Sequence, residues 1–227
     1  TIAGMFGLGL EPTGSKDPFA LRRAANGIVK TLAESAVPLL LSEISKAAES
    51  FDGKMMAFFG ERLEFYLREA RGQAYDVVKA VLAAGSDDVR DAVARAEAVT
   101  AVRGSADFEA VCAAFKRMKN ILSQAREKSL AIDASVKTGD FTEASEVALA
   151  RELELRGFEI ENLARGHDYT GALLEIAKFR PVLDDFFASV MVMTEDEAVR
   201  GRRLGLLQSL KEEFSRIADF SEIVSVG

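Results

Sequence analysis

The chain has 227 residues, 48% of them apolar and 29% charged, with a formal net charge of -7. That is ordinary for a globular protein and long enough for one large or two small cores. No apolar run reaches the roughly 20 residues of a membrane span, and the acidic balance excludes a nucleic-acid binder that is basic all over, though not a local basic patch. The one cysteine, Cys112, excludes an intramolecular disulfide and fits a reducing cytosol; beside Phe108, Val111 and Phe115 it reads as an inert core residue.

Thr1 to Ser15 holds four glycines and no initiator methionine, and reads as the middle of a longer chain. After it, nearly every segment has a helical period and none alternates at two residues, so the fold class is all-α. The first helix takes Asp17 as N-cap and Pro18 at its first position and runs to about Glu34. Pro38 starts a second, to Ser50, and Asp52-Gly53 breaks the chain. Met56, Phe59, Leu63, Tyr66, Leu67 and Ala70 recur at three and four residues, and Gly72 ends that helix. Shorter helices follow over about 75–84 and 87–102, and Gly104-Ser105 is a soft boundary. Ser105 caps a helix through Phe108, Val111, Cys112, Phe115, Met118 and Leu122 to about Lys128. Residues 137–142 form a loop by composition. Residues 143–165 are helical and acidic, Gly166-His167-Asp168 is a turn, and Tyr169 opens a helix that Pro181 kinks or restarts. The closing helix covers Glu195 to about Ile217, with Val199, Leu206, Leu207, Leu210, Phe214 and Ile217 on one face. About nine helices are expected, divided into 1–104 (a linker and N-terminal helical subdomain) and 105–227 (a helical bundle).

Catalytic constellations are missing from this pattern. His167 is the single histidine, so no second imidazole or thiol joins it as a metal ligand. Gly7-Leu8-Gly9 is too short for a phosphate loop. Binding signals are better. Lys116, Arg117, Lys119, Arg126 and Lys128 stand against the single acid Glu127 between residues 116 and 128. Lys116, Lys119 and Asn120 share a helical face opposite the apolar stripe, which offers phosphate donors and one amide able to reach a base edge. Composition alone favours a solvated helix face. A second candidate surface is Arg62, Tyr66, Arg68 and Arg71, where Tyr66 lies next to the apolar stripe and reads either as core or as a stacking platform.

Several stretches carry a family resemblance. Phe186-Phe187-Ala188-Ser189-Val190-Met191-Val192-Met193-Thr194-Glu195-Asp196, running into Arg203-Leu204, resembles the C-terminal signature of the anticodon-binding domain of class I arginyl-tRNA synthetases and the bacterial glycyl-tRNA synthetase beta subunit. Residues 17–27, Phe59-Gly60-Glu61-Arg62-Leu63 with Tyr66, residues 76–83 and residues 116–122 have the order and spacing of the beta subunit, whose C-terminal third this chain resembles. Three positions depart from the family pattern: Val199 replaces Leu, Arg202 replaces Asn and Ala188 replaces Asp. The resemblance implies a bundle of the anticodon-binding type in 105–227, with Phe186, Phe187, Val190, Met191 and Met193 in its core and the arginine before Leu204 bracing the Val-Met-Val-Met loop. It implies tRNA binding by Lys116, Arg117, Lys119 and Asn120; Arg62, Tyr66 and Arg68 rank second as tRNA-binding candidates, on their place on the polar side of the 56–71 helix. It further implies a cytoplasmic, non-catalytic part of glycine–tRNA ligase that binds no metal, cofactor, membrane or DNA. Its partners would be tRNA(Gly) and an ATP-using alpha subunit, in an assembly of two alpha and two beta subunits. The alternative is a helical assembly or scaffold module that docks the alpha subunit or another domain without touching RNA.

Overall fold

The computed structural model describes residues 1–17, 19–47 and 53–224. Among these the chain forms eleven α-helices and no β-strand, with one isolated bridge between Thr13 and Lys16. It divides into two compact units, Thr1–Glu97 and Ala98–Gly227.

The first unit opens with α1 (Ile2–Gly7), a short helix in the glycine-rich start. In α2 (Leu21–Glu34), Leu21, Ala25, Val29 and Leu32 are buried, the spacing that lays one helix face on a core. Asp17 caps this helix from further upstream than expected. Its Oδ1 accepts from Leu21 N at 2.8 Å and its Oδ2 from Arg22 N at 3.1 Å, while Ala20 turns the chain at φ 53°. Pro18, Ser50 and Asp52 lie outside the described residues. The second helix, α3 (Leu41–Ala47), begins after Pro38, where the Asp87 carboxylate accepts from Ser42 N and Ser42 Oγ, each at 2.7 Å. Gly53 begins α4 (Gly53–Phe65), which buries Met55, Phe58, Phe59 and Leu63 and passes into a π-helical turn, Tyr66–Ala70. Gly72, at φ 65°, ends it as expected. Next come α5 (Tyr75–Ala83) and α6 (Val89–Val102). Buried Arg95 on α6 donates to the carbonyls of Val81 at 2.9 Å and Gly85 at 2.7 Å. It thereby ties α6 to the end of α5 and to the turn that follows it.

The division between the units falls inside α6, upstream of the expected Gly104-Ser105. The second unit continues with α7 (Ala106–Glu127), capped by Ser105 Oγ accepting from Phe108 N at 3.3 Å. The expected loop after it contains a 3-10 turn, Thr138–Asp140. A capping box of Glu143 and Glu146 starts α8 (Ala144–Arg165), and Asp168 caps α9 (Tyr169–Ala177). Pro181 lies in the first turn of a separate helix, α10 (Arg180–Ser189), so the proline restarts the helix. Asp196 caps α11 (Glu197–Phe214), and a 3-10 turn follows at Phe220–Glu222. The count exceeds nine because α1 forms and α9 and α10 are distinct. Fully buried Phe108, Phe115, Phe179, Phe186, Phe214 and Phe220 form the centre of this unit. Phe115 and Phe108 each meet Phe220 edge-on at 5.4 Å between centroids, and Phe179 meets Phe214 at 5.0 Å. Each buried ring contributes about 1.5–3 kcal/mol of transfer free energy, and together they fix α7, α10, α11 and the final turn around one cluster.

Candidate nucleic-acid interface

One face of α7 points into the phenylalanine cluster through Phe108, Val111, Phe115, Met118 and Leu122. Lys116, Arg117 and Asn120 are exposed on the remaining surface, and Lys116 and Asn120 have no hydrogen-bond or ion-pair partner among the described residues. Arg117 is held differently. Its guanidinium carbon lies 4.4 Å from the centroid of the half-buried Phe187 ring on α10, a cation–π contact that fixes the planar group while leaving its edge to solvent.

Lys119 departs from its expected neighbours. It lies at the margin of the buried face, and its ammonium donates to Asp219 Oδ2 at 3.0 Å, Ser221 Oγ at 2.8 Å and Glu222 Oε1 at 3.3 Å. Burial alone would lower its pKa, but the bonds and charges of Asp219 and Glu222 outweigh burial and leave it above 10.5. Burial likewise pushes the Asp219 carboxyl up, and hydrogen bonds from Ser221 and Lys119 bring it below 3.8. Lys119 therefore ties α7 to the final turn, with its donors already committed. Helical spacing made Lys119 look like a companion of Lys116; the acids that claim it are 100 residues or more further along the chain.

The second candidate surface, on the first unit, is also sorted by burial. Tyr66 is 6% exposed, with its hydroxyl donating to Glu34 at 3.3 Å; burial, then the charge of Glu34, raises its pKa. Of the two readings that the sequence allows for Tyr66, core residue or stacking platform, this conformation has the ring in the core. The Arg62 side chain is largely covered, with its guanidinium 5.8 Å from the Phe58 ring and 5.9 Å from the Phe65 ring. Arg68 is exposed, 3.8 Å from Glu64 in the expected i,i+4 pair and 5.4 Å from the ring of Tyr75. Lys79 also lies over that ring, at 5.8 Å. Besides Phe65, 48% exposed beside Arg62, this basic surface presents Tyr75, 54% exposed. Its place at the start of α5 carried no sequence signal, because Arg68 comes from the previous helical segment.

The loop between α10 and α11 is braced by arginines. Arg203 pairs with buried Glu146 of α8 and donates through Nη1 to Met191 O at 2.9 Å; Arg200 reaches Thr194 O at 2.9 Å. Phe186 and Val190 are core, as expected, while Phe187 and Met193 are half-buried. Met191 is 74% exposed, and Val192 takes the buried place instead; where α10 ends, the extended backbone at Val190 changes which side chains point inward. His167 is exposed in a left-handed turn, 3.1 Å from the Tyr169 hydroxyl. Among the described residues no group of three acidic, His or Cys side chains is placed to hold a metal, and no helix is long and apolar enough to cross a membrane.

Comparison with known proteins bears directly on this arrangement. Residues 1–83 match the family model for the glycyl-tRNA synthetase beta subunit, and residues 111–220 match that for the DALR anticodon binding domain. Glycine–tRNA ligase beta subunits of Acidobacterium capsulatum, Geotalea uraniireducens and Magnetococcus marinus are 52%, 39% and 37% identical to the chain over 99% of its length. The alignments cover 34%, 33% and 34% of those relatives, so the chain spans about a third of their length. The chain belongs to the glycyl-tRNA synthetase beta subunit family and carries a DALR anticodon binding domain over residues 111–220.

Proposed function

We propose that this chain is the part of a glycine–tRNA ligase that grips the anticodon stem-loop of tRNA(Gly) and positions the tRNA for glycylation at an active site on the alpha subunit. The observation that carries the reading is the exposed Lys116, Arg117 and Asn120 face of α7, inside the segment matching an anticodon binding domain. Lys116 supplies a phosphate contact, which holds the loop without reading it, and Arg117 adds a second cationic donor beside it. Asn120 accepts from a base through its amide oxygen. Chemistry takes place elsewhere: this part contributes positioning and selection and makes or breaks no bond. Lys119, committed to Asp219 and Glu222, supports the helix that presents the other three.

Fluorescence anisotropy of the 227-residue chain with a labelled tRNA(Gly) anticodon stem-loop tests this. Replacing Lys116 by Ala should weaken all loops alike and lower the salt slope by about 0.7 for each single-stranded phosphate no longer neutralised, and Arg117→Ala should weaken binding as well. Asn120→Ala should weaken cytosine-bearing loops selectively. Binding that is absent at low salt, or indifferent to all three substitutions, refutes the proposal.

One observation favours a docking role as well. Leu155 and Phe158, one turn apart on α8, are 71% and 70% exposed, an apolar pair that a protein partner such as the alpha subunit would cover. Replacing both by Ser should then abolish co-purification with that subunit and leave stem-loop binding unchanged.

A further inference from the structure

Between α7 and α10 lies an open depression of about 460 Å³, lined by Ala110, Ala113, Ala114, Arg117, Asp184, Phe187 and Ala188. Its volume is in the range of small-ligand sites. The alanines leave room where larger side chains would close the two helices over it. The Arg117 guanidinium and the Phe187 ring, 4.4 Å apart, supply flat surface for a base. Asp184 is the one carboxylate in the lining. Arg180 Nε lies 3.5 Å from its Oδ2 while also holding Asp107, and Asp184 Oδ1 has no partner among the described residues. The depression therefore combines a donor-only group with an acceptor-only group across an apolar floor.

We infer that this depression is a nucleobase pocket in which Asp184 accepts from the exocyclic amino group of an anticodon cytosine while Arg117 donates to the acceptors beside it. The inference rests on the anticodon-loop reading above and adds the residue that sets base specificity. Glycine anticodons carry cytosine at their second and third letters, which makes an acceptor necessary. Cytosine offers its amino donor next to the acceptors N3 and O2, matching Asp184 and Arg117 together. Uracil places a carbonyl oxygen where the amino group would be, directly against the carboxylate. Asn120 lies along the same helix from Arg117, so the two cytosines have two acceptors, Asn120 and Asp184.

The test uses the 227-residue chain and seven stem-loops: the one with C at both positions, and those with U, A or G at one position or the other. The wild type should bind the C loop about tenfold more tightly than the U loop at one position, as expected for a hydrogen bond to a charged acceptor. Asp184→Ala should weaken the C loop by about that factor and spare the U loop. Asp184→Asn, whose amide both donates and accepts, should bring the two loops to near equality. Ala113→Leu, which fills the depression from the exposed side, should weaken every loop while the melting temperature stays at the wild-type value. An unchanged C-to-U ratio in both Asp184 variants overturns the inference, as does a wild type that prefers guanine at both positions. Failure of the wild type to bind any loop overturns the anticodon-loop reading itself, and this inference with it.

Discussion

Two buried glycines on α11 meet the same loop but should respond oppositely to a methyl group. The chain between α7 and α8 passes across α11 at Gly201 and Gly205, and Asp133 N donates to Gly201 O at 3.0 Å. A Cβ at Gly205 would lie 1.9 Å from the carbonyl oxygen of Asp133 and 2.9 Å from its carbon. Both are backbone atoms, so no rotamer relieves the clash and the loop must give way. Overpacking of this kind costs about 1–3 kcal/mol, and breaking the Asp133–Gly201 bond adds about 0.5–1.5 kcal/mol. Alanine recovers about 1 kcal/mol of helix propensity. The net expectation for Gly205→Ala is a destabilisation of about 1–3 kcal/mol, or a fall in melting temperature of about 3–10 °C for a unit of this size. At Gly201 the added Cβ meets Ala131 O at 3.6 Å, an ordinary contact. The propensity term then stands alone, and Gly201→Ala should raise the melting temperature by a few degrees. Thermal melts followed by circular dichroism compare the three proteins. A Gly205→Ala protein as stable as Gly201→Ala would refute the close approach of loop and helix.

The Lys119–Asp219 cluster should show itself in acid. A carboxyl whose folded pKa lies below its unfolded value contributes stability above the unfolded value and loses it as pH falls through the folded one. For Asp219 that places the loss below about pH 3.8. Asp219→Asn should cost about 1–2 kcal/mol near neutral pH, and its gap from the wild type should narrow in urea melts as pH falls below about 3.8. Lys119 works in the other direction: its raised pKa contributes stability below pH 10.5 that disappears as pH rises through the folded value. Arg203→Leu leaves the buried Glu146 carboxylate without its main partner and should cost about 3–5 kcal/mol, read by the same melts; a loss under about 1 kcal/mol would mean that Glu146 finds water instead. A fragment of residues 98–227 should be more stable than one of 105–227, since Val99 and Val102, both buried, fall within the second unit; equal stability would place the working boundary at Gly104.

Local signals predict the helices well wherever capping and periodicity agree. Ser105, Glu143, Asp168 and Asp196 all stand at or beside helix starts, because an N-cap acts on backbone groups two or three residues away. Failures come where a distant group decides the outcome. Asp17 has the look of an immediate N-cap, but the left-handed Ala20 displaces the helix start and the carboxylate reaches forward to Leu21 and Arg22. The π turn at Tyr66–Ala70 is illegible in the sequence, since its residue types continue the helical pattern of α4 unchanged. The helix-to-helix break inside 169–189 is half legible, since proline rules out a regular interior but does not choose between a kink and a restart.

The candidate interface divides along the same line. Spacing alone puts Lys116, Lys119 and Asn120 on one face, and for Lys116 and Asn120 nothing in the fold contradicts it. Lys119 is removed from that set by partners in the last turn of the chain, which no window of α7 could reveal. Arg117 is a tRNA-binding candidate already in the sequence, but the Phe187 ring that the fold places beneath it comes from α10 and is invisible to any window of α7. Asp184 has the wrong sign to stand out in a patch defined by positive charge. A surface that must select cytosine needs an acceptor as much as it needs donors, since phosphate contacts alone hold every loop equally. The acidic residue within a basic patch is therefore where specificity should be sought, and the packing of α10 against α7 brings one there.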